Sequence, residues 1–551
     1  MARTPLFDAL QRAARIARLS LHASAPLDEV IERVQELRVD AARRRFLRNA
    51  CGTAATFALA GCARDVSKLL NHPNVRHSDR DEVIVVGAGI AGLTAVWRLR
   101  QAGVRVRVIE ANNRVGGRMH SLRGFFPDAQ VVELGGELID SDHVRIRALA
   151  GELGLALDDL HGGDPLADED VWWAQGRRHS ETDLIHAFVP VAAAIERDLT
   201  TLGGGDITYA TPQNAQALDA LTLTQWFDRN DVAGWLRALL DVAYVTEMGL
   251  ACDRQSALNM ITFIGTKPDR FRIFGASDER YHVRGGNDRI PQALAAKLGD
   301  AIETGAALEA LRRDASGEYV LSVRQGAASR ELRASMVLLA IPFTTLREVR
   351  LDVPLPGVKQ RAIRKLRYGT NAKLMIGFDQ RVWRAQRANG STYTDLPFQT
   401  TWEATRQQAG MGGILANFTG GEHGVAIGQG TPKMQADKAV AELDAVFPGI
   451  AAARQNGREV RMHWPTQRWA QGSYACFGPG DWTQLRGAMG ETVDGLFFAG
   501  EHCALDTQGF MEGGCESGET AAAAILRARN IAVPQKETAA ALQRRKTLAM
   551  A

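Results

Sequence analysis

Lys373 is the residue of this 551-residue chain whose surroundings call most plainly for chemistry. It interrupts Asn371-Ala372-Lys373-Leu374-Met375-Ile376-Gly377-Phe378, an otherwise apolar strand. An ammonium group is costly to bury there. Either the strand lies at an edge and the side chain snorkels to water, or the amine belongs to a reactive site. A second group is Val83-Ile84-Val85-Val86-Gly87-Ala88-Gly89-Ile90-Ala91-Gly92, with Glu110 closing the next apolar run. This spacing binds a dinucleotide. Gly87 makes the tight turn, Gly89 lets the backbone approach a pyrophosphate, and Gly92 lets the helix that carries Ala91 pack close to the strand. The helix N-terminus offers its N–H groups to the phosphates, and Glu110 reaches a ribose hydroxyl.

The elements that must position these groups can be read from the same rows. Four consecutive β-branched residues at 83–86 form a buried parallel strand, and Val104 to Ile109 form an alternating one. Leu236 to Val245 and Ile290 to Leu298 have helical periodicity. Tyr319 to Val323 and Met336 to Ile341 are strands, the second ended by Pro342. Residues 355–460 change character: Trp383, Tyr393, Trp402 and Phe418 sit among short alternating strands, as in a sheet that faces a pocket. The length allows two or more domains. The fold class is α/β, a Rossmann-like domain assembled from discontinuous segments, with an α+β substrate domain. We place the first in 81–150, 281–350 and 461–530. The second takes a mostly helical insertion, 151–280, and the sheet of 351–460. Residues 1–62 form an N-terminal extension, 63–80 a polar linker and 531–551 a tail.

Bulk properties narrow the class. A net charge of +3, with many arginines in the first fifty residues, gives no basic face for nucleic acid. Six cysteines at scattered spacing form neither a disulfide framework nor a CxxC metal pair. No stretch is long and apolar enough to be a spanning helix.

Asn113-Arg114-Val115-Gly116-Gly117-Arg118 and Glu133-Leu134-Gly135-Gly136-Glu137 follow directly on the dinucleotide unit. Near the other end come Phe497-Phe498-Ala499-Gly500-Glu501 and Gly509-Phe510-Met511-Glu512-Gly513-Gly514. With these motifs in order, residues 81–530 resemble the flavin monoamine oxidase and L-amino acid oxidase superfamily. The resemblance implies FAD as cofactor. Gly117 and Arg118 would then meet the phosphates or the flavin, and Gly135, Gly136 and Glu137 in the next loop would bind the cofactor too. Gly500 and Glu501 would contact the ribityl and phosphate groups. Met511 would start a helix facing the flavin's pyrimidine ring, where reduced flavin gathers negative charge. Lys373 would bond through water to flavin N5. Tyr474 and Phe510 would frame the amine, with Trp464 lining the same region.

The resemblance also implies a reaction. Hydride passes from the amine-bearing carbon to flavin N5, the imine is hydrolysed to a carbonyl compound and ammonia, and oxygen or a quinone takes the electrons, oxygen giving hydrogen peroxide. One branch of L-amino acid oxidases carries a carboxylate-binding arginine where this chain has Leu138. The Gly-Gly-Glu loop, Tyr244-Val245-Thr246-Glu247 and Ser256-Ala257-Leu258-Asn259 look instead like a bacterial and cyanobacterial group that favours basic amino acids. The expected substrate is then an L-amino acid such as L-arginine or L-lysine, oxidised to a 2-oxo acid, with Glu247 meeting its basic side chain. A polyamine or monoamine oxidase is the alternative, a carotenoid desaturase-like flavoprotein a remote one, and a non-catalytic flavin module a fourth. No metal is expected, and a homodimer stays open.

Arg43-Arg44-Arg45-Phe46-Leu47-Arg48 matches the twin-arginine export pattern, and an apolar run ends in Leu59-Ala60-Gly61-Cys62, which resembles a lipobox. The expectation is a periplasmic protein, with the membrane involved only through a lipid anchor at Cys62. The arginines begin late for such a signal, since 1–42 hold an amphipathic helix, Leu27 to Leu37, and the true start could lie further in.

Some members of the superfamily attach FAD to a cysteine where this chain has Ser473, and Cys476 lies three residues on. FAD is therefore expected to be non-covalent. Acid precipitation should leave a colourless pellet and a yellow supernatant; colour retained on the pellet would refute this.

Overall fold

The run Val83–Val86 is buried at every position, as a strand covered on both faces must be. In the computed structural model it is the middle strand of a five-stranded sheet. The order is Leu496–Phe498, Met336–Leu339, Val83–Val86, Val106–Glu110, Ile302–Thr304, with every pairing parallel. The structure describes residues 13, 16–21, 26–34, 82–161, 169–264 and 278–533. The twin-arginine and lipobox motifs, the linker and almost all of the tail lie outside the described residues. The strand expected to alternate, Val106–Glu110, is buried on both faces except for half-buried Arg107, which turns its guanidinium to Glu82 at 2.9 Å.

Two helices cover one face of this sheet. One is Ile90–Gln101, directly after the glycine loop; the other is Met511–Ala528, at the far end of the chain. They approach at backbone distance. A Cβ at Gly514 would lie 2.5 Å from the Ile90 side chain, and one at Gly518 would lie 2.4 Å from the Ala91 carbonyl. Gly92 has the same role toward the strand, for its Cβ would lie 2.1 Å from the Gly87 carbonyl.

The second sheet has seven strands, ordered Arg454–His463, Ala372–Phe378, Gly413–Thr419, Thr400–Glu403, Ala388–Thr394, Glu169–Ala174, Arg177–His179. Lys373 is thus on an interior strand, paired to Phe418 on one side and Met462 on the other, and every residue of that strand is buried. This excludes the edge position. The segment 151–280, expected to be mostly helical, supplies the last two strands of this sheet as well as the helices Glu181–Thr201, Leu223–Arg229 and Gly234–Met248. The strands are too short for periodicity to reveal. What holds them is cross-strand packing, with Trp172 against Tyr393 at 4.7 Å between ring centres.

The described residues of the N-terminal extension pack on the helical layer. Ile16, Ala17, Ile31 and Val34 are buried in the same apolar cluster as Leu184, Phe188 and Leu240. Arg18 pairs with Glu196 at 2.7 Å and Asp28 with His186 at 2.8 Å. The amphipathic helix is described over residues 27–34.

Gly89 contrasts with Gly92, because a Cβ there meets nothing within 4 Å. Gly92→Ala should cost about 3 kcal/mol of stability through overpacking against backbone, whereas Gly89→Ala should leave the unfolding transition of the ligand-free protein unchanged. Denaturant titration of both variants checks this.

Candidate active site

A cavity of about 460 Å³ runs between the two sheets, within the size range of ligand pockets. At one end lie Gly87, Gly89 and Ala91. Gly89 caps the helix Ile90–Gln101 without a side-chain hydrogen bond to its N-terminal N–H groups, which suits that end to an anion. Glu110 lines the same end. Its two carboxylate oxygens accept the Ala88 and Asn112 N–H groups, each at 2.7 Å. Burial pushes its pKa up, against the pull of those two donors and of Arg114. Gly92 does not line the cavity; it brings the helix to it.

The second glycine loop lies beside the first, with the Gly116 N–H donating to the Ala88 carbonyl at 2.8 Å. Arg114 turns back on its own loop, to the Val115, Met119 and Gly117 carbonyls. Arg118 crosses to the other end of the chain. Its Nη1 donates at 2.8 Å both to the Ser473 carbonyl and to Glu501 Oε1. Glu501 also accepts the Ala475 N–H at 3.1 Å and the Gly509 N–H at 2.9 Å. Arg118, Gly117, Gly500 and Glu501 all line the cavity, but the Arg118–Glu501 charges are closed on each other. Met511 starts its 18-residue helix at the cavity wall, and a Cβ at Gly136 would touch its side chain at 2.8 Å.

Toward the other end, Gly135, Gly136 and Glu137 face Lys373. Lys373 Nζ donates to the Glu133 carbonyl at 3.1 Å, the Gly135 carbonyl at 2.9 Å and Glu137 Oε2 at 2.6 Å. The other carboxylate oxygen, Oε1, accepts the Trp402 indole N–H at 2.9 Å. An ammonium has three donors, and all three are used here. The water-bridging role that the resemblance implies would require Lys373 to give one of them up.

Tyr474, Phe510 and Trp464 line this end too, with Trp402 and Phe418. The Tyr474 hydroxyl donates to the Thr246 carbonyl at 2.9 Å, and Phe510 meets His143 edge-on at 5.2 Å. Ser473 is buried, its hydroxyl donating to Asn371 Oδ1 at 2.6 Å.

Glu247 is the expected substrate residue that the cavity does not include. It is fully buried on Gly234–Met248 and is not a lining residue. Its helix presents it toward Tyr244, whose hydroxyl pKa is raised by burial first and by Glu247 second. The neighbouring Thr246 carbonyl accepts the Tyr474 hydroxyl. Sequence reasoning placed Trp402 in a pocket-facing sheet but missed its bond to Glu137, 265 residues away, for which no local pattern exists.

The residues present fit FAD. A Cβ-free approach at Gly89, a helix N-terminus beneath it, a carboxylate at Glu110 and a second helix N-terminus at Met511 occupy one continuous cavity. Residues 90–526 match the family of flavin containing amine oxidoreductases. The chain is 26% identical over 469 residues to an L-amino acid dehydrogenase of Synechocystis sp., covering 81% of this chain and 94% of that one. It is 27% identical over 486 residues to flavin-containing amine oxidase B of Homo sapiens, covering 84% and 88%. Cyclohexylamine oxidase from Brevibacterium oxydans IH-35A shares the fold, with a TM-score of 0.72 at 24% identity over 82% of this chain and 100% of that one. A putrescine oxidase bound to putrescine shares it too, with a TM-score of 0.69 at 22% identity over 81% and 99%. With a family match that runs from the glycine-loop helix to the end of the C-terminal helix, this chain belongs to the flavin-containing amine oxidoreductases and is an FAD-dependent enzyme.

Proposed function

We propose that the enzyme oxidatively deaminates an L-amino acid, with arginine and lysine the foremost candidates, to a 2-oxo acid and ammonia. The observation that carries this reading is the match through 94% of the length of a protein named L-amino acid dehydrogenase. FAD, when bound, supplies the two-electron hydride acceptor. The chain's own contribution is a chamber walled by Tyr474, Phe510, Trp464, Trp402 and Phe418. Those rings guide an uncharged amine and keep water from the reacting carbon. The preference for a basic side chain no longer leans on Glu247, which lies outside the cavity. Similarity to the human amine oxidase keeps a monoamine or polyamine substrate as the second reading.

Anaerobic addition of L-arginine, L-lysine, putrescine and an arylalkylamine tests the choice. L-Arginine or L-lysine should bleach the flavin fastest. Bleaching by putrescine or the arylalkylamine, with no L-amino acid active, would overturn it. Reoxidation in air, compared with reoxidation by a soluble quinone, decides the acceptor.

We further propose that the protein is exported by the twin-arginine route, which carries folded proteins and so suits one that binds FAD first, with Cys62 as a point of lipid attachment. Arg43, Arg44 and Arg45 carry this reading. Replacing all three by lysine should leave the holoenzyme in the cytoplasmic fraction; periplasmic activity equal to wild type would refute it.

A further inference from the structure

Several polar side chains around Lys373 are bonded within the protein. Lys373 uses three donors on Glu133, Gly135 and Glu137. The Tyr474 hydroxyl and the Asn371 amide both donate to the Thr246 carbonyl, at 2.9 and 2.8 Å, and Ser473 donates to Asn371 Oδ1. Glu137 is different. Its carboxylate accepts one bond at each oxygen, from Trp402 and from Lys373, while two carboxylate oxygens offer about four acceptor sites. It lines the cavity, and its side chain is 9% exposed. The chamber therefore holds a fixed, charged acceptor with capacity to spare, surrounded by apolar rings.

We infer that Glu137 receives the N–H of the substrate's reacting amino group and stabilises the positive charge that develops on its nitrogen. This deepens the amine-oxidising reading above and rests on it, whichever amine proves to be the substrate. As the C–H bond pair leaves the α-carbon as hydride for the bound cofactor, the nitrogen lone pair moves into the new C=N bond. A neutral amine thus becomes an iminium cation, with no proton moved in that step. A carboxylate fixed beside that nitrogen attracts the product of the step more than its reactant, the condition for lowering a barrier. Lys373 and Trp402 hold the carboxylate in place through one oxygen each, so it need not reorient as charge appears.

The experiment uses the FAD-loaded full chain and two probes of equal shape, acetamidinium, a planar nitrogen cation, and acetamide, its neutral counterpart. Binding is read from the perturbed flavin absorbance. Wild type should bind acetamidinium at least tenfold more tightly than acetamide, and Glu137→Gln should abolish that preference. Glu137→Gln should also slow anaerobic flavin reduction at least tenfold, with whichever amine bleaches the wild type. Equal binding of the two probes by wild type would overturn the inference without any variant. So would a Glu137→Gln enzyme that keeps the preference, or one that is reduced at the wild-type rate. An error in the substrate reading would show separately, as a different amine in the wild-type panel.

Discussion

A lysine ammonium in the middle of a fully buried strand must be neutralised where it lies, and much of the site is organised by that need. Isolated burial of the charge would cost several kcal/mol. The structure meets it with two carbonyls and a carboxylate, all from residues 133–137. Those residues belong to the loop that follows the dinucleotide-binding unit, while Lys373 belongs to the seven-stranded sheet. Satisfying one charge therefore fastens the two halves of the molecule together along the cavity wall. The same loop carries Gly136, whose missing Cβ admits Met511. Sheet, loop and C-terminal helix are thereby brought to one point.

The opposite end of the cavity depends on close backbone approach. Gly92 lets the first helix lie on its strand, and Gly514 and Gly518 let the C-terminal helix lie on the first. Two helix N-termini from distant parts of the chain then face one cavity. Glu501 secures the arrangement by binding Arg118, Ala475 and Gly509 at once. This carboxylate lines the cavity and ties three segments of the protein to one another.

How much of this was legible in the sequence differs by mechanism. The glycine loop, Glu110 and the parallel strands were readable because their constraints are local: a turn, a close approach, a run of β-branched residues. Lys373 was readable as an anomaly, a charge where the pattern demands none. Its partners were not, since Glu137 is separated from it by 236 residues. Glu247 shows the limit from the other side. A glutamate on an amphipathic helix can face solvent, a pocket or the core, and composition does not choose; the helix turns it into the core beside Tyr244. The strands at 169–179 escaped because cross-strand contact with Tyr393, not their own pattern, makes them strands.

Three of the cations lining the cavity are already bonded within the protein. Arg118 is closed on Glu501 and Lys373 on Glu137, while Arg114 is turned onto carbonyls of its own loop. A dinucleotide brings a doubly charged pyrophosphate, and paired side chains offer it little net attraction. The backbone N–H groups of the helix that starts at Ile90 carry partial positive charge with no counterion to displace. Recognition through them depends on Gly89 staying bare, because any side chain there would occupy the space between helix and phosphate. The amine end differs: aromatic side chains wall it, and the Glu137 carboxylate lines it beside them. One cavity thus uses main-chain dipoles where it must hold a permanent anion and a fixed carboxylate where a cation is formed only in passing.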